Sequence, residues 1–71
     1  QAALDFERKI DNAISLIAQA PNRYPVYESD IRVKLVDTFP FSIYYRVRSG
    51  AIQILSIAHQ SRKPRYWNER I

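Results

Sequence analysis

The chain predicts an α+β fold, with one amphipathic helix laid on one face of a small antiparallel sheet. Three observations carry this expectation. Apolar residues recur at steps of three and four over residues 2–19. Apolar and polar residues alternate over residues 31–35 and 41–48. A two-residue Ser49-Gly50 step joins the second alternating run to a third run, Ala51 to Ala58, as a tight hairpin requires. Helices and strands in such an order form a two-layer domain around one core. At 71 residues the chain is expected to be a single domain over residues 1–71.

The helix comes first. Phe6, Ile10, Ala13, Ile14 and Ile17 fall on one stripe. Asp5, Glu7, Arg8, Lys9, Asp11, Asn12 and Ser15 fill the other face. Asp5 and Lys9 form a favourable i,i+4 pair, whereas Glu7 and Asp11 repel. Pro21 ends the helix. Pro21-Asn22-Arg23-Tyr24-Pro25 then reads as a stiff connector with Tyr24 packed on the helix end.

A three-stranded meander follows. In Ile31-Arg32-Val33-Lys34-Leu35 the alternation sets Ile31, Val33 and Leu35 inward, with Arg32 and Lys34 outward. Asp37-Thr38-Phe39-Pro40 turns the chain. In the next strand Phe41, Ile43, Tyr45 and Val47 share the inner face, and Ser42, Tyr44, Arg46 and Arg48 the outer one. Through the Ser49-Gly50 turn, Arg48 faces Ala51, Val47 faces Ile52, Tyr45 faces Ile54 and Tyr44 faces Leu55. Leu55 and Ile57 then lie on the outer face beside Tyr44. An apolar patch there calls for a covering partner or element.

Composition narrows the chemistry. The chain has no cysteine and one histidine, which leaves no ordinary zinc site and suits a reducing cytosol. With a single glycine there is no phosphate-cradling loop, so neither metal nor cofactor is expected. The longest apolar run falls far short of the ~20 residues of a membrane span. The net charge of +4 is lopsided: residues 1–30 carry −2 and residues 31–71 carry +6. A basic half suits a polyanion or an acidic protein partner, although a solvated basic surface is the plainer reading. Its cations are Arg32 and Lys34, Arg46 and Arg48, then Arg62, Lys63 and Arg65 beside Tyr66 and Trp67. Arginines clamp phosphates and aromatic rings stack on bases. The aromatic pair Tyr66 and Trp67 also suits pinning the tail to the core, which for Trp67 is favoured over base stacking.

Several runs together carry a family resemblance. Pro21 to Pro25, Asp30-Ile31-Arg32, Phe39 to Val47 and Ile54 to Trp67 resemble the ParE branch of the RelE/ParE toxin superfamily. The resemblance implies the toxin of a bacterial type II toxin–antitoxin pair, neutralised by a cognate antitoxin encoded beside it. For the ParE branch it implies a cytoplasmic, non-enzymatic inhibitor of DNA gyrase. Arg46, Arg48, Tyr44, Leu55, Ile57, Lys63, Arg65 and Trp67 are then the contact residues for target or antitoxin. The RelE branch implies the alternative, a metal-independent endoribonuclease acting on ribosome-bound mRNA. Under it Arg32, Lys34, Arg62 and Tyr66 would be catalytic. The middle-strand arginine of that branch is Ser42 here. Losing one such cation costs about 2.7–4 kcal/mol of transition-state stabilisation, by analogy with oxyanion donors. Members of the superfamily begin with a strand and a first helix. Gln1 stands at what resembles their second helix, so the chain is expected to be N-terminally short, either a truncation or a shortened member, and a further alternative is a truncated inactive remnant that only binds antitoxin.

Overall fold

The computed structural model describes residues 2–36 and 40–59, with side chains from residue 5 onward. One helix, α1 (Ala2–Gln19), precedes four strands: β1 (Val26–Glu28), β2 (Ile31–Leu35), β3 (Phe41–Arg48) and β4 (Ala51–His59). The strands form one antiparallel sheet in the order β1-β2-β3-β4. The fold is α+β. Among the described residues no helix is long and apolar enough to cross a membrane.

The stripe read from the sequence is the buried face of α1. Ile10, Ala13 and Ile17 are buried against Ile43, Tyr45 and Val36. Phe6, Ile14, Tyr24, Phe41 and Ile52 close the rim of this core. The rings of Phe6 and Phe41 meet edge to face at 5.1 Å. The helix ends where Pro21 removes the next donor, and the Ala20 amide reaches back to the carbonyls of Leu16 and Ile17.

A fourth strand extends the expected meander. Val26-Tyr27-Glu28 pairs with β2 through a two-residue Ser29-Asp30 loop, with Glu28 opposite Ile31. Ser29 takes a left-handed φ of 54°, the conformation such short hairpins demand. The Ser49-Gly50 turn has φ of 54° and 76°, which suits a type I′ hairpin, and the β3–β4 register near it is the expected one.

The face of β2 is the reverse of the expected one. Arg32 pairs with Tyr45 and Lys34 with Ile43, so both basic residues lie on the helix side with Val36. Ile31 and Val33 instead gather with Tyr44, Leu55 and Ala58 on the far side of the sheet. Leu35, expected in the core, is 61% exposed. Five alternating residues fit either face, and a shift of one flips all of them. Long stems decide in favour of this choice. Lys34 sets its Nζ over the Tyr24 ring, 4.6 Å from the centroid, and Arg32 reaches the connector carbonyls.

A bulge in β4 corrects a second expectation. Tyr45 faces Ile54 as expected, but Tyr44 faces Ser56, which leaves Leu55 as the extra residue. Leu55 stays with Tyr44 on the far face. Ile57 moves to the helix side, opposite Ile43, where it lines a groove with Phe6 and Ile10.

The connector is tied to the sheet at two points. The hydroxyl of fully buried Tyr45 donates to the Pro21 carbonyl at 2.6 Å. Arg32 Nη1 donates to the carbonyls of Tyr24 at 2.6 Å and Asn22 at 3.3 Å. Tyr45→Phe removes the first tie and is expected to cost about 1 kcal/mol in urea unfolding, against about 3 kcal/mol for Ile17→Ala. An unchanged midpoint in Tyr45→Phe would show that the tie is not formed. Burial also raises the Tyr45 phenol above its ordinary value of 10.0, with Arg32 pulling the other way. The folded state therefore holds this proton more tightly than the unfolded chain. Stability is full below pH 10 and falls as pH rises through the tyrosine range. A urea midpoint that declines there, and declines less in Tyr45→Phe, is the expected result.

Candidate functional site

The sheet presents two chemically different faces, and they sort the candidate residues. The far face carries Ile31, Val33 and Leu35 from β2, Ser42 and Tyr44 from β3, and Leu55, Ser56 and Ala58 from β4. Tyr27 of β1 joins it, its ring edge-to-face with Tyr44 at 4.9 Å. Ser42 and Ser56 are buried, and their small side chains leave Tyr44 room to lie along the sheet. Burial raises the Tyr44 phenol, Tyr27 adds to this, and a hydrogen bond with Ser42 opposes it. The phenol therefore stays protonated at neutral pH.

The cations do not form one cluster. Arg46 and Arg48 lie on the far face at its turn end, opposite Gln53 and Ala51. Arg46 Nε donates to Gln53 Oε1 at 2.6 Å. Arg48 Nε meets Asp30 Oδ2 at 3.1 Å, clipping the two hairpin tips together across solvent-exposed ground. An exposed pair of this kind adds at most about 1 kcal/mol. Arg32 and Lys34 lie on the opposite face, so the expected grouping of these four cations on one surface is corrected. Arg32 serves the connector and Lys34 rests on Tyr24.

Arg62, Lys63, Arg65, Tyr66 and Trp67 lie outside the described residues, as does the turn at residues 37–39. Ile57, expected beside Leu55, borders the groove between α1 and β4 and is 41% exposed. That groove has a volume of about 280 Å³ and is lined by Phe6, Glu7, Ile10, Asp11 and Ile57. Among the described residues no three His, Cys, Asp or Glu side chains gather as metal ligands would. Among the described residues the far face is thus mostly apolar and hydroxyl-bearing, and cationic only near the turn.

Residues 1–64 match a family model described as the ParE toxin of the type II toxin–antitoxin system parDE. The chain belongs to this family. No curated protein and no solved structure matched it.

Membership in the ParE family makes the chain the toxin member of a toxin–antitoxin pair, with a cognate antitoxin as the implied partner. Sequence reasoning missed Tyr27, because a three-residue strand without alternation gives no periodic signal. It foresaw an apolar patch beside Tyr44 and Leu55 on the far face, but not the Ile31, Val33 and Leu35 that the flipped β2 adds to it. Val26-Tyr27-Glu28 is rich in strand-favouring residues, and that was the available signal.

Arg32 is expected to act through structure. Arg32→Gln should lower stability by about 1–2 kcal/mol, since two connector carbonyls lose a charged donor. Lys34→Gln, which gives up only a cation–π contact, should cost about 1 kcal/mol or less. Thermal unfolding of both variants checks the order. Equal stability of Arg32→Gln and the parent chain would contradict it.

Proposed function

We propose that this toxin acts by binding a protein target rather than by cutting RNA, with DNA gyrase as the target and a cognate antitoxin as its neutraliser. The observation that carries the reading is the composition of the far face. A metal-free nuclease needs several cations and a proton-transfer group around one phosphate. Here β2 offers Ile31, Val33 and Leu35 to that face, and β3 offers Ser42 and Tyr44. An apolar patch with exposed Leu35 and Tyr27, bordered by Arg46 and Arg48, suits a protein contact with a charged rim.

Target and antitoxin compete for this patch in our reading, which would explain neutralisation by occupation. Tyr44, Leu55, Arg46 and Arg48 are the contacts among the described residues, and Lys63, Arg65 and Trp67, which lie outside them, are further contacts in this reading. Ile57 lies on the other side of the sheet, in the groove beside α1, and is not part of this patch. The RelE-like alternative would need Arg32 and Lys34 to converge with Arg62 and Tyr66. Arg32 and Lys34 face the helix layer, and this supports binding over cleavage.

A supercoiling assay tests the proposal. Purified toxin should inhibit gyrase, and Leu35→Asp should weaken inhibition at least about tenfold, the effect of burying one unpaired charge in an apolar contact. Unchanged supercoiling at saturating toxin would remove gyrase as the target. Ribosome-dependent message cleavage that disappears in Arg62→Ala or Tyr66→Ala would overturn the binding mechanism itself.

A further inference from the structure

The sheet ends on β4, and among the described residues no strand lies beyond it. The Ser49-Gly50 hairpin makes Arg48 and Ala51 a hydrogen-bonded pair, so from there bonded and non-bonded pairs alternate along β3. Ile52 opposite Val47, Ile54 opposite Tyr45 and Ile57 opposite Ile43 fall on the non-bonded pairs. Their N–H and C=O groups therefore point out of the sheet, away from β3. β4 is nine residues long, and Ala51 to Ala58 carries no charge and no proline. Charges, prolines and short length are what keep an exposed edge from pairing. The opposite edge, β1, has them: it is three residues long, follows Pro25 and ends on Glu28. On β4 the bulge at Leu55 is the one such device among the described residues.

We propose that the β4 edge pairs antiparallel with β4 of a second copy of this chain, joining two sheets into one. Self-pairing needs a register in which outward-pointing residues meet outward-pointing residues. A twofold axis between Leu55 and Ser56 gives one, with Ile54 of each copy facing Ile57 of the other. The bulge then falls at the axis in both copies, and the same offset on each strand keeps the pairs in step. Ile54 and Ile57 lie on the helix side and are 37% and 41% exposed; the pairing covers each with the other. Ile54 of the second copy stands at the mouth of the groove formed by Phe6, Ile10 and Ile57. A foreign strand would have to match both the isoleucine spacing and the bulge offset, whereas a second copy matches them by symmetry. Each copy carries a net charge of +4, so self-association is favoured where charge is absent, as it is along this run. The axis stands perpendicular to the sheet, which leaves both far faces open on the same side of the dimer.

Sedimentation equilibrium of the purified chain tests the pairing. A monomer–dimer equilibrium is expected. Ile54→Pro should weaken it at least about tenfold, because proline removes an outward donor and leaves the β3 ladder intact. Ile57→Lys, a charge placed at an exposed edge position, should do the same with its far-ultraviolet circular dichroism unchanged. Leu35→Asp, on the far face, should dimerise as the parent chain does. Cysteine variants read the register, since the parent has no cysteine. An equimolar mixture of Ile54→Cys and Ile57→Cys chains should cross-link, because facing Cα atoms of a bonded pair stand about 5.5 Å apart. Neither variant alone should, because its two cysteines are offset by about 10 Å along the strands, beyond disulfide reach. A chain that stays monomeric at about 1 mM would overturn the proposal. So would dimers unaffected by both Ile54→Pro and Ile57→Lys, or cross-linking in either cysteine variant alone as efficient as in the mixture. Monomers whose Ile54 and Ile57 amides resist hydrogen exchange would also overturn it and give the edge to the chain's own residues. Mass and cross-linking are read without gyrase, so this inference and the proposed function fail separately.

Discussion

The pairing of Arg32 with Tyr45 is the constraint on which the rest of the structure depends. Tyr45 is fully buried, yet its hydroxyl must find an acceptor, and the Pro21 carbonyl provides one. Beside it, Arg32 satisfies the carbonyls of Asn22 and Tyr24. The proline-flanked connector cannot form a regular ladder, so side chains complete its hydrogen bonds. This arrangement fastens the end of α1 to the sheet. It also fixes which way β2 faces, since period-two alternation carries the choice from Arg32 to Lys34 and Val36 on one side and to Ile31, Val33 and Leu35 on the other.

The proposed binding function rests on that choice. With Arg32 and Lys34 committed to the helix side, the far face keeps aliphatic and hydroxyl groups, and among the described residues its cations lie at the β3–β4 turn. One register decision thus sets the apolar residues of β2 and its basic pair on opposite sides of a sheet one strand thick. ParE-family membership supplies the class of the protein. The face composition supplies the argument for binding.

Much of the fold was legible in the sequence where periodicity was long. Eighteen residues of helical spacing gave α1 and its buried stripe. Eight residues gave β3 and both of its faces, and Ser49-Gly50 gave the hairpin. Legibility ended where the signal was short or interrupted. The five residues of β2 alternate equally well in either phase, and only the side-chain stems of Arg32 and Lys34 separate the two. The bulge at Leu55 leaves no mark in Ile54-Leu55-Ser56-Ile57, a run that reads as plain strand. Both errors changed the candidate site more than the fold. They moved Arg32, Lys34 and Ile57 to the other face and left α1 and β3 untouched.

Side-chain proton contacts measured by nuclear Overhauser spectroscopy test this account most directly, because they report the face of β2 without a functional assay. The account requires cross-peaks from the Lys34 methylenes to the Tyr24 ring and from the Val33 methyls to the Tyr44 ring. Cross-peaks from Val33 and Leu35 to Ile10 and Ile17 of α1 would contradict it. The basic pair would then return to the far face, and the case for binding over cleavage would lose its main support.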